Sequence, residues 1–220
     1  MMVKANMRFA RKINEDFKVV LASASPRRKQ IMELVGLEFD VWPSVMEESV
    51  TSHVPSEICT ELSRQKALDV TAQIVKYNNL HKDITSPSDI IIIGADTIVA
   101  KYDKIFGKPK DEDDAIRMLE ELSGGTHSVF TGVTLAFLSP EGRVGEHTFY
   151  EETKVSFYPT GRDDIEDYIS TEDVMDKAGA YGIQTGAAAF IRSIEGDYYN
   201  VMGLPIARLM QELRMILLVE

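Results

Sequence analysis

A polar segment near the start of the chain has the side chains that bind phosphate. It reads Ser-Ala-Ser-Pro-Arg-Arg and follows a short apolar run that predicts a buried strand. Ser25 suits an N-cap and Pro26 the first position of a helix, whose free amide groups and dipole favour an anion. Hydroxyl and guanidinium donors that match phosphate oxygens come from Ser23, Ser25, Arg27 and Arg28. An ordinary capped helix with solvated arginines is the alternative.

A second candidate is the carboxylate of Asp96, in a Gly-Ala-Asp-Thr segment directly after the apolar run 90–93. This placement predicts that Asp96 lies at the end of a strand, where the sites of α/β proteins collect. A carboxylate there could hold a divalent cation or accept a proton from water. An Asx-turn or a helix cap is the alternative.

A third candidate is the segment 176–184, which reads Asp-Lys-Ala-Gly-Ala-Tyr-Gly-Ile-Gln. Its two charges, Asp176 and Lys177, stand before two glycines, so the segment could close over a ligand. The amide of Gln184 has both a donor and an acceptor and could therefore recognise the edge of a base. A flexible connection is the alternative.

Three further residues are weaker candidates. Lys66 lies on a predicted helix, where a solvated face is the default. Lys108 lies in a Gly-Lys-Pro segment that resembles the end of a P-loop, but Tyr102 and Pro109 occupy positions that the motif reserves for Gly and for Ser or Thr. Glu48 is either a metal ligand or a surface charge.

Composition narrows the class of protein. The chain has 220 residues and a net charge of −11, which argues against broad binding to nucleic acid or to an anionic membrane. No apolar run approaches the roughly 20 residues that cross a bilayer. The single cysteine, Cys59, is predicted in the core; it excludes disulfide frameworks within one chain and fits a reducing compartment such as the cytoplasm. The four histidines show no ligand-like spacing, and no Gly-x-Ser-x-Gly occurs.

Periodicity predicts a mixed α/β fold: a twisted sheet flanked by helices, with a cleft between two lobes. Strands are expected over 19–22, 37–42, 89–93, 127–138, 143–157 and 187–194, with a hairpin over 97–106. Helices are expected over 26–35, 56–77, 111–122 and 160–170, the last capped by Thr160, and from Pro205 onward. Residues 17–220 are assigned to one domain. Residues 1–16 are expected to be a frayed extension or, alternatively, a weak transit segment, and 78–88 a polar linker.

Together these segments resemble the Maf family of nucleotide pyrophosphatases. The matching motifs occur in family order between residues 18 and 215: Ala-Ser-Ala-Ser-Pro-Arg-Arg from Ala22, Gly-Ala-Asp-Thr-Ile-Val from Gly94, Lys-Pro at Lys108, His-Ser-Val-Phe-Thr-Gly-Val from His127, the whole segment 176–184, and Asn-Val-Met-Gly-Leu-Pro from Asn200.

The resemblance implies a fold related to inosine triphosphate pyrophosphatase. It also implies hydrolysis of a nucleoside triphosphate to the monophosphate and pyrophosphate, with a divalent cation, Mg²⁺ or Mn²⁺. The Ser-Pro-Arg-Arg and Asp-Lys-Ala-Gly segments look like those of the branch that acts on dTTP and UTP. Gly107 stands where Glu is common in the family. A homodimer is also implied.

Site roles follow from the resemblance residue by residue. Asp96 matches the general base, and Arg27, Thr97 and Gln184 match positions tied to substrate choice. Other cleft positions, around phosphate and metal, match Glu48, Lys66, Lys108 and Asp176, with Arg28 and Lys177 as their neighbours. Glu48 and Asp96 are the expected metal ligands. A non-enzymatic nucleotide-binding regulator of cell division, and a phosphatase or kinase, remain alternatives.

Overall fold

The computed structural model describes residues 8–80 and 89–217. The helices are α1 (Arg8–Asp16), α2 (Pro26–Leu34), α3 (Pro55–Leu80), α4 (Glu112–Leu122), α5 (Arg162–Thr171), α6 (Tyr198–Met202) and α7 (Ile206–Leu217). The strands are β1 (Lys18–Leu21), β2 (Asp40–Val41), β3 (Ile90–Lys101), β4 (Lys104–Phe106), β5 (Thr126–Leu138), β6 (Val144–Phe157) and β7 (Ile191–Glu195). Of the linker expected over 78–88, the first three residues end α3 and the rest lie outside the described residues.

The strands form one mixed sheet, which confirms the predicted α/β class. Its order is β2-β1-β3-β5-β6-β7, with β4 paired to β3. Strand β1 runs parallel to β2 and β3, whereas the other pairs are antiparallel. The predicted hairpins β3–β4 and β5–β6 are confirmed. Within residues 8–80 and 89–217, none of the helices combines the length and apolar character that crossing a bilayer requires.

Strand β3 divides the core between the two faces of the sheet. Because side chains alternate along a strand, Ile90 and Ile92 pack against α3 on one face. On the other face, Ile91 and Ile93 pack with α1, α2 and α7, whereas Val99 packs with α4 and α5. Two apolar clusters therefore share this second face, one at each end of the sheet.

A gap in strand pairing lies at the middle of β3. The pairing with β1 ends where Leu21 meets Ile93, and the pairing with β4 begins where Val99 meets Phe106. Residues 94–98 thus have β5 on one side and neither β1 nor β4 on the other. This gap leaves room for a ligand beside the centre of the sheet.

The prediction that Asp96 lies at the end of a strand is wrong. Strand β3 continues past it to Lys101, and Asp96 lies in the strand interior. The glycine two residues before Asp96 serves packing: a Cβ on Gly94 would lie 2.8 Å from the amide nitrogen of Ala67 in α3. Gly94 therefore permits close helix–sheet packing and does not end the strand.

The interpretation of residues 8–16 as frayed is also wrong. They form α1, an amphipathic helix that buries Phe9, Ala10 and Ile13 in the core. The apolar spacing of those three residues is the physical reason, because it places them on one helix face. Residues 1–7 lie outside the described part of the chain.

Smaller differences concern the ends of elements. Gly161 and not Thr160 is the N-cap of α5. The strand expected over 187–194 is shortened to β7, because Gly186–Ala189, which is rich in alanine, forms a turn of 3₁₀ helix. The strand expected over 37–42 is reduced to the two residues of β2.

Candidate active site

All of the site residues proposed from the sequence line one cleft, which occupies the gap beside β3. Its volume is about 610 Å³. The lining includes Ser23, Ser25, Arg27, Arg28, Glu48, Lys66, Asp96, Thr97, Lys108, Asp176, Lys177 and Gln184. Five of these side chains are basic and three are acidic, so the cleft has an excess of positive charge in a chain whose net charge is −11. Such a cleft suits an anionic ligand.

The first wall of the cleft is the turn between β1 and α2. Ser25 is the N-cap of α2 and Pro26 follows it, as predicted, but the Ser25 side chain makes no capping hydrogen bond. The hydroxyl of Ser23 turns inward and accepts hydrogen bonds from the amide of Ser25 at 3.3 Å and from Nη1 of Arg28 at 3.0 Å. The turn therefore places the N-terminus of α2 at the cleft and holds the side chain of Arg28.

Arg28 is held by neutral oxygens. Its Nε donates to the carbonyl of Gly203 at 2.8 Å, and Nη2 donates to Oγ1 of Thr97 at 3.3 Å, in addition to the bond to Ser23. Burial lowers the pKa of Arg28 from its usual value, and the nearby charge of Asp96 opposes that shift. A buried guanidinium that is hydrogen-bonded to neutral groups is stabilised further by an anion.

Arg27 makes a different set of contacts. Its Nη1 lies 2.8 Å from Oδ2 of Asp176, whose other oxygen lies 2.8 Å from Nζ of Lys177. Burial alone would raise the pKa of Asp176, but the hydrogen bonds from Lys177 and Arg27 outweigh it and hold the pKa below the usual value. This charged cluster joins the first wall of the cleft to the segment 176–184.

Lys66 connects the two expected metal ligands. Its Nζ hydrogen-bonds to Oδ1 of Asp96 and lies 2.9 Å from Oε1 of Glu48. The solvated position that the helix pattern favoured for Lys66 is therefore wrong, since only 16% of its side chain is exposed. The interpretation of Glu48 as a mere surface charge is also incomplete, because it lines the cleft.

The residues present fit a divalent cation only in part. Among the described residues, no group of three or more His, Cys, Asp or Glu side chains gathers to hold a metal. Asp96 and Glu48 nevertheless share a cation, the ammonium of Lys66. Mg²⁺ is commonly bound by one or two carboxylates together with substrate phosphates. The donor set therefore fits a cation that arrives with a phosphate ligand.

The contact between α3 and the segment that carries Glu48 was not predicted from the sequence. Residues 44–52 run along α3 and are held by polar side chains spaced four residues apart on that helix. Asp69 accepts a hydrogen bond from Ser44, and Gln65 accepts one from Ser49. Glu61 and Glu57 accept hydrogen bonds from Thr51 and Ser52 in the same way. The spacing of four between these polar side chains, which places them along one side of α3, is the signal that could have revealed this contact.

Lys108 and Gln184 lie on loops that contact each other. The amide of Gly179 donates to the carbonyl of Gly107 at 3.0 Å. Gly179 has a φ of +70°, and a Cβ there would lie 3.1 Å from Val99. The glycine is therefore required for the close approach of the segment 176–184 to β3.

A buried pair behind this segment was also missed. Nε2 of His127 lies 2.8 Å from the hydroxyl of Tyr181, which borders the cleft. Burial, together with the charge of Lys101, lowers the pKa of His127 to about 3, so its ring is neutral near pH 7. The pair anchors the middle of the segment 176–184 to β5.

Comparisons with known proteins indicate the same family over most of the chain. The family model described as Maf-like protein matches residues 18–216. A relative named dTTP/UTP pyrophosphatase from Agathobacter rectalis is 56% identical over 89% of this chain and 96% of its own length. Relatives of the same name from Lachnoclostridium phytofermentans and Carboxydothermus hydrogenoformans are 47% and 46% identical, each over 90% of this chain and over 94% and 97% of their own. Among solved structures, a HAM1 protein from Coxiella burnetii matches with a TM-score of 0.43 and 13% identity, covering 93% of this chain and 100% of that one.

Proposed function

Because this chain belongs to the Maf family, we propose that it hydrolyses dTTP and UTP to the nucleoside monophosphate and pyrophosphate. The bond cleaved is the α–β phosphoanhydride. The observation that carries the proposal is that twelve side chains, chosen from segments far apart in the sequence, line one cleft with an excess of positive charge. A compact polyanion such as a triphosphate is the ligand that suits this arrangement.

In this proposal the phosphate chain lies over the start of α2. Ser23, Ser25 and the first amide groups of the helix donate to phosphate oxygens, and Arg28 supplies a guanidinium that neutral oxygens already hold in place. Lys66 and Lys108 oppose the charge of the chain from other sides of the cleft. Such pre-positioned charges stabilise the charge that develops as pyrophosphate leaves.

Asp96 acts as the general base. Its side chain lines the cleft, is 14% exposed and is oriented by Lys66. It accepts a proton from a water molecule, whose oxygen attacks the α-phosphorus while the bond to the pyrophosphate oxygen breaks. The interior position of Asp96 in β3 supports this role, because a strand flanked by β5 holds the carboxylate rigidly.

Glu48 and Asp96 are the residues that would hold Mg²⁺ or Mn²⁺. When bound, the cation would neutralise charge on the phosphate oxygens. Lys66 would then have to give up part of its contact with the two carboxylates, because both of them bind its ammonium in this structure.

Substrate choice is assigned to the opposite wall. Gln184 offers a donor and an acceptor, which match the carbonyl and N–H groups on the edge of thymine and uracil. Asp176 and Lys177 on this wall are charged, and Asp176 fixes Arg27 of the first wall, so the positions tied to substrate choice are held in order across the cleft. Thr97, the third position that the resemblance ties to substrate choice, lies on β3 apart from this wall and contacts Arg28.

The experiment that tests the proposal is pyrophosphate release from dTTP and UTP by the wild type and by Asp96→Asn. We expect the variant to lose about 10²- to 10⁴-fold in kcat, the usual contribution of a general base. Asp163→Asn, on the exposed first turn of α5, is the matched control and keeps wild-type activity. Full activity in Asp96→Asn would contradict the assigned base.

Product analysis separates the other candidate functions. A nucleotide-binding regulator would bind dTTP tightly without turnover in any divalent cation. A phosphatase would release orthophosphate in place of pyrophosphate.

Light scattering would test the homodimer that the family resemblance implies.

A further inference from the structure

Arg28 is supported from behind by a chain of hydrogen bonds that leads away from the cleft. Nη2 of Arg28 donates to Oγ1 of Thr97, and that hydroxyl lies 2.9 Å from Oγ1 of Thr131. The hydroxyl of Thr131 in turn lies 2.9 Å from the backbone carbonyl oxygen of Asn200. Thr131 is fully buried and does not line the cleft.

The direction of these bonds follows from the number of protons. A carbonyl oxygen can only accept, so the single hydroxyl proton of Thr131 points to Asn200. The contact between the two threonines must then use the proton of Thr97. Thr97 accepts from Arg28 and donates to Thr131, which leaves its hydroxyl with no proton to donate to a ligand.

Both ends of this chain are fixed. Thr97 and Thr131 face each other directly across β3 and β5. The side chain of Asn200 is buried and donates to the carbonyl of Val129 and to Oγ1 of Thr153 at 3.0 Å each. The short helix α6, which contains Asn200, is followed by its C-cap Gly203, whose carbonyl accepts from Nε of Arg28.

We infer that Thr131 is a positioning residue, which sets the orientation of the Arg28 guanidinium through the hydroxyl of Thr97. The inference rests on the proposed function, in which Arg28 binds the phosphate chain. It assigns Thr97 to the same role, so that Thr97 acts on the phosphates through Arg28 and does not donate to the base. Because every triphosphate has the same phosphate chain, the effect must be equal for dTTP and UTP.

The test begins with Thr131→Val, which keeps the shape of the side chain and removes the hydroxyl. We expect kcat/KM for pyrophosphate release to fall about 10- to 100-fold, as for other small misplacements of a binding group, and by the same factor for dTTP and UTP. Thr131→Ser restores the hydroxyl and should recover most of the loss. An unchanged kcat/KM in Thr131→Val, or a loss confined to one base, would overturn the inference.

Thr134→Val is the matched control. Thr134 is equally buried on β5, but it lies on the opposite face, and its hydroxyl contacts Ser63 and Thr148 and has no contact with Arg28. The two valine variants should lose similar stability, whereas only Thr131→Val should lose activity. Equal losses of activity would mean that Thr131 has a merely structural role.

A double-mutant cycle supplies the sharper criterion. If Thr131 acts only through Arg28, Thr131→Val changes kcat/KM less than about twofold in an Arg28→Lys background. Independent, multiplicative losses would contradict the inference. The affinity for inorganic triphosphate, measured by calorimetry on the same variants, should fall in parallel. This binding measurement remains decisive if the wild type shows no turnover, an outcome that would refute the proposed function alone.

Discussion

Nη1 of Arg27 lies 2.8 Å from Oδ2 of Asp176, although the two residues are 149 positions apart in the sequence. The ion pair joins the start of α2 to the segment 176–184 and so ties one wall of the cleft to the other. The backbone carbonyl of Asp176 accepts a second, longer hydrogen bond from the same guanidinium. The pair therefore limits how far the cleft can open on this side.

Removal of the charge on Asp176 should impair catalysis more than stability. In Asp176→Asn we expect kcat/KM to fall about tenfold, because Arg27 and Lys177 lose the group that orients them. The free energy of unfolding should change by less than about 1 kcal/mol, since the carboxylate is partly exposed. Steady-state kinetics and urea unfolding provide the two numbers, and Glu166→Gln, which breaks an exposed pair on α5, serves as control. A variant with normal kcat/KM would show that the cross-cleft pair is dispensable.

Removal of the ammonium of Lys66 should strengthen cation binding to the nucleotide-free protein. In Lys66→Met, Glu48 and Asp96 lose the cation that they share, so their mutual repulsion favours a divalent ion in its place. We expect Mn²⁺ affinity, measured by paramagnetic resonance without nucleotide, to rise about tenfold, while turnover of dTTP falls. Lys104→Met, which removes the partner of Glu121 on the surface, should leave Mn²⁺ affinity unchanged. Unaltered Mn²⁺ binding in Lys66→Met would count against a metal site at these carboxylates.

The buried histidine should make the fold sensitive to mild acid. Burial lowers the pKa of His127 to about 3, whereas an unfolded histidine titrates near 6.5. Between these values the unfolded chain binds the extra proton, so stability is full above about pH 6.5 and falls as the pH drops. From pH 7 to pH 5 this one group should cost about 2 kcal/mol.

In His127→Gln that part of the pH dependence should disappear, even if the variant is less stable at pH 7. Urea unfolding at pH 7 and pH 5 measures the difference, with His53→Gln, at an exposed position, as control. If the His127→Gln variant lost as much stability on acidification as the wild type, burial of His127 would not be the cause.

A methyl group at Gly94 should separate α3 from the sheet. Its carbon would lie 2.8 Å from the amide nitrogen and 2.9 Å from the Cβ of Ala67. We expect Gly94→Ala to destabilise the fold by about 2 kcal/mol and to reduce kcat, because a displaced α3 also carries Lys66 away from Asp96. Gly145→Ala, where a Cβ meets nothing within 4 Å, is the control for loss of a strand glycine. Thermal unfolding and kinetics that match the wild type in Gly94→Ala would disprove this account.

Local patterns predicted most elements because they depend on near neighbours. The N-cap position of Ser25 and the helix start at Pro26 are confirmed, and the helix expected from 111 begins after Asp111, which accepts from the amide of Asp114. The errors arose where a residue had a tertiary role. Asp96 was placed at a strand end because the apolar run stops at Ile93, whereas β3 continues to Lys101 through pairing with β5, which the local sequence does not show.

The candidate site, like the fold, was predictable from the sequence only in part. Residue types indicated the turn before α2, Asp96 and the segment 176–184, whereas the resemblance to the family was needed to choose Thr97 and to support Glu48, Lys66 and Lys108. Their pairing was not predictable, because each contact joins elements that are distant along the chain: Arg27 with Asp176, Lys66 with both Glu48 and Asp96, and Arg28 with Gly203.

The sequence by itself determined the α/β class, the order of most elements and a set of polar side chains that line one cleft, because local propensity and side-chain type are properties of short segments. Only the tertiary structure decided that Asp96 lies inside a strand, that Lys66 bridges two carboxylates and that Thr131 stands behind Arg28. Those facts depend on strand register and on the close packing of α3 at Gly94 and Gly132. Register and packing arise from contacts between distant segments, and a single sequence contains no direct record of them.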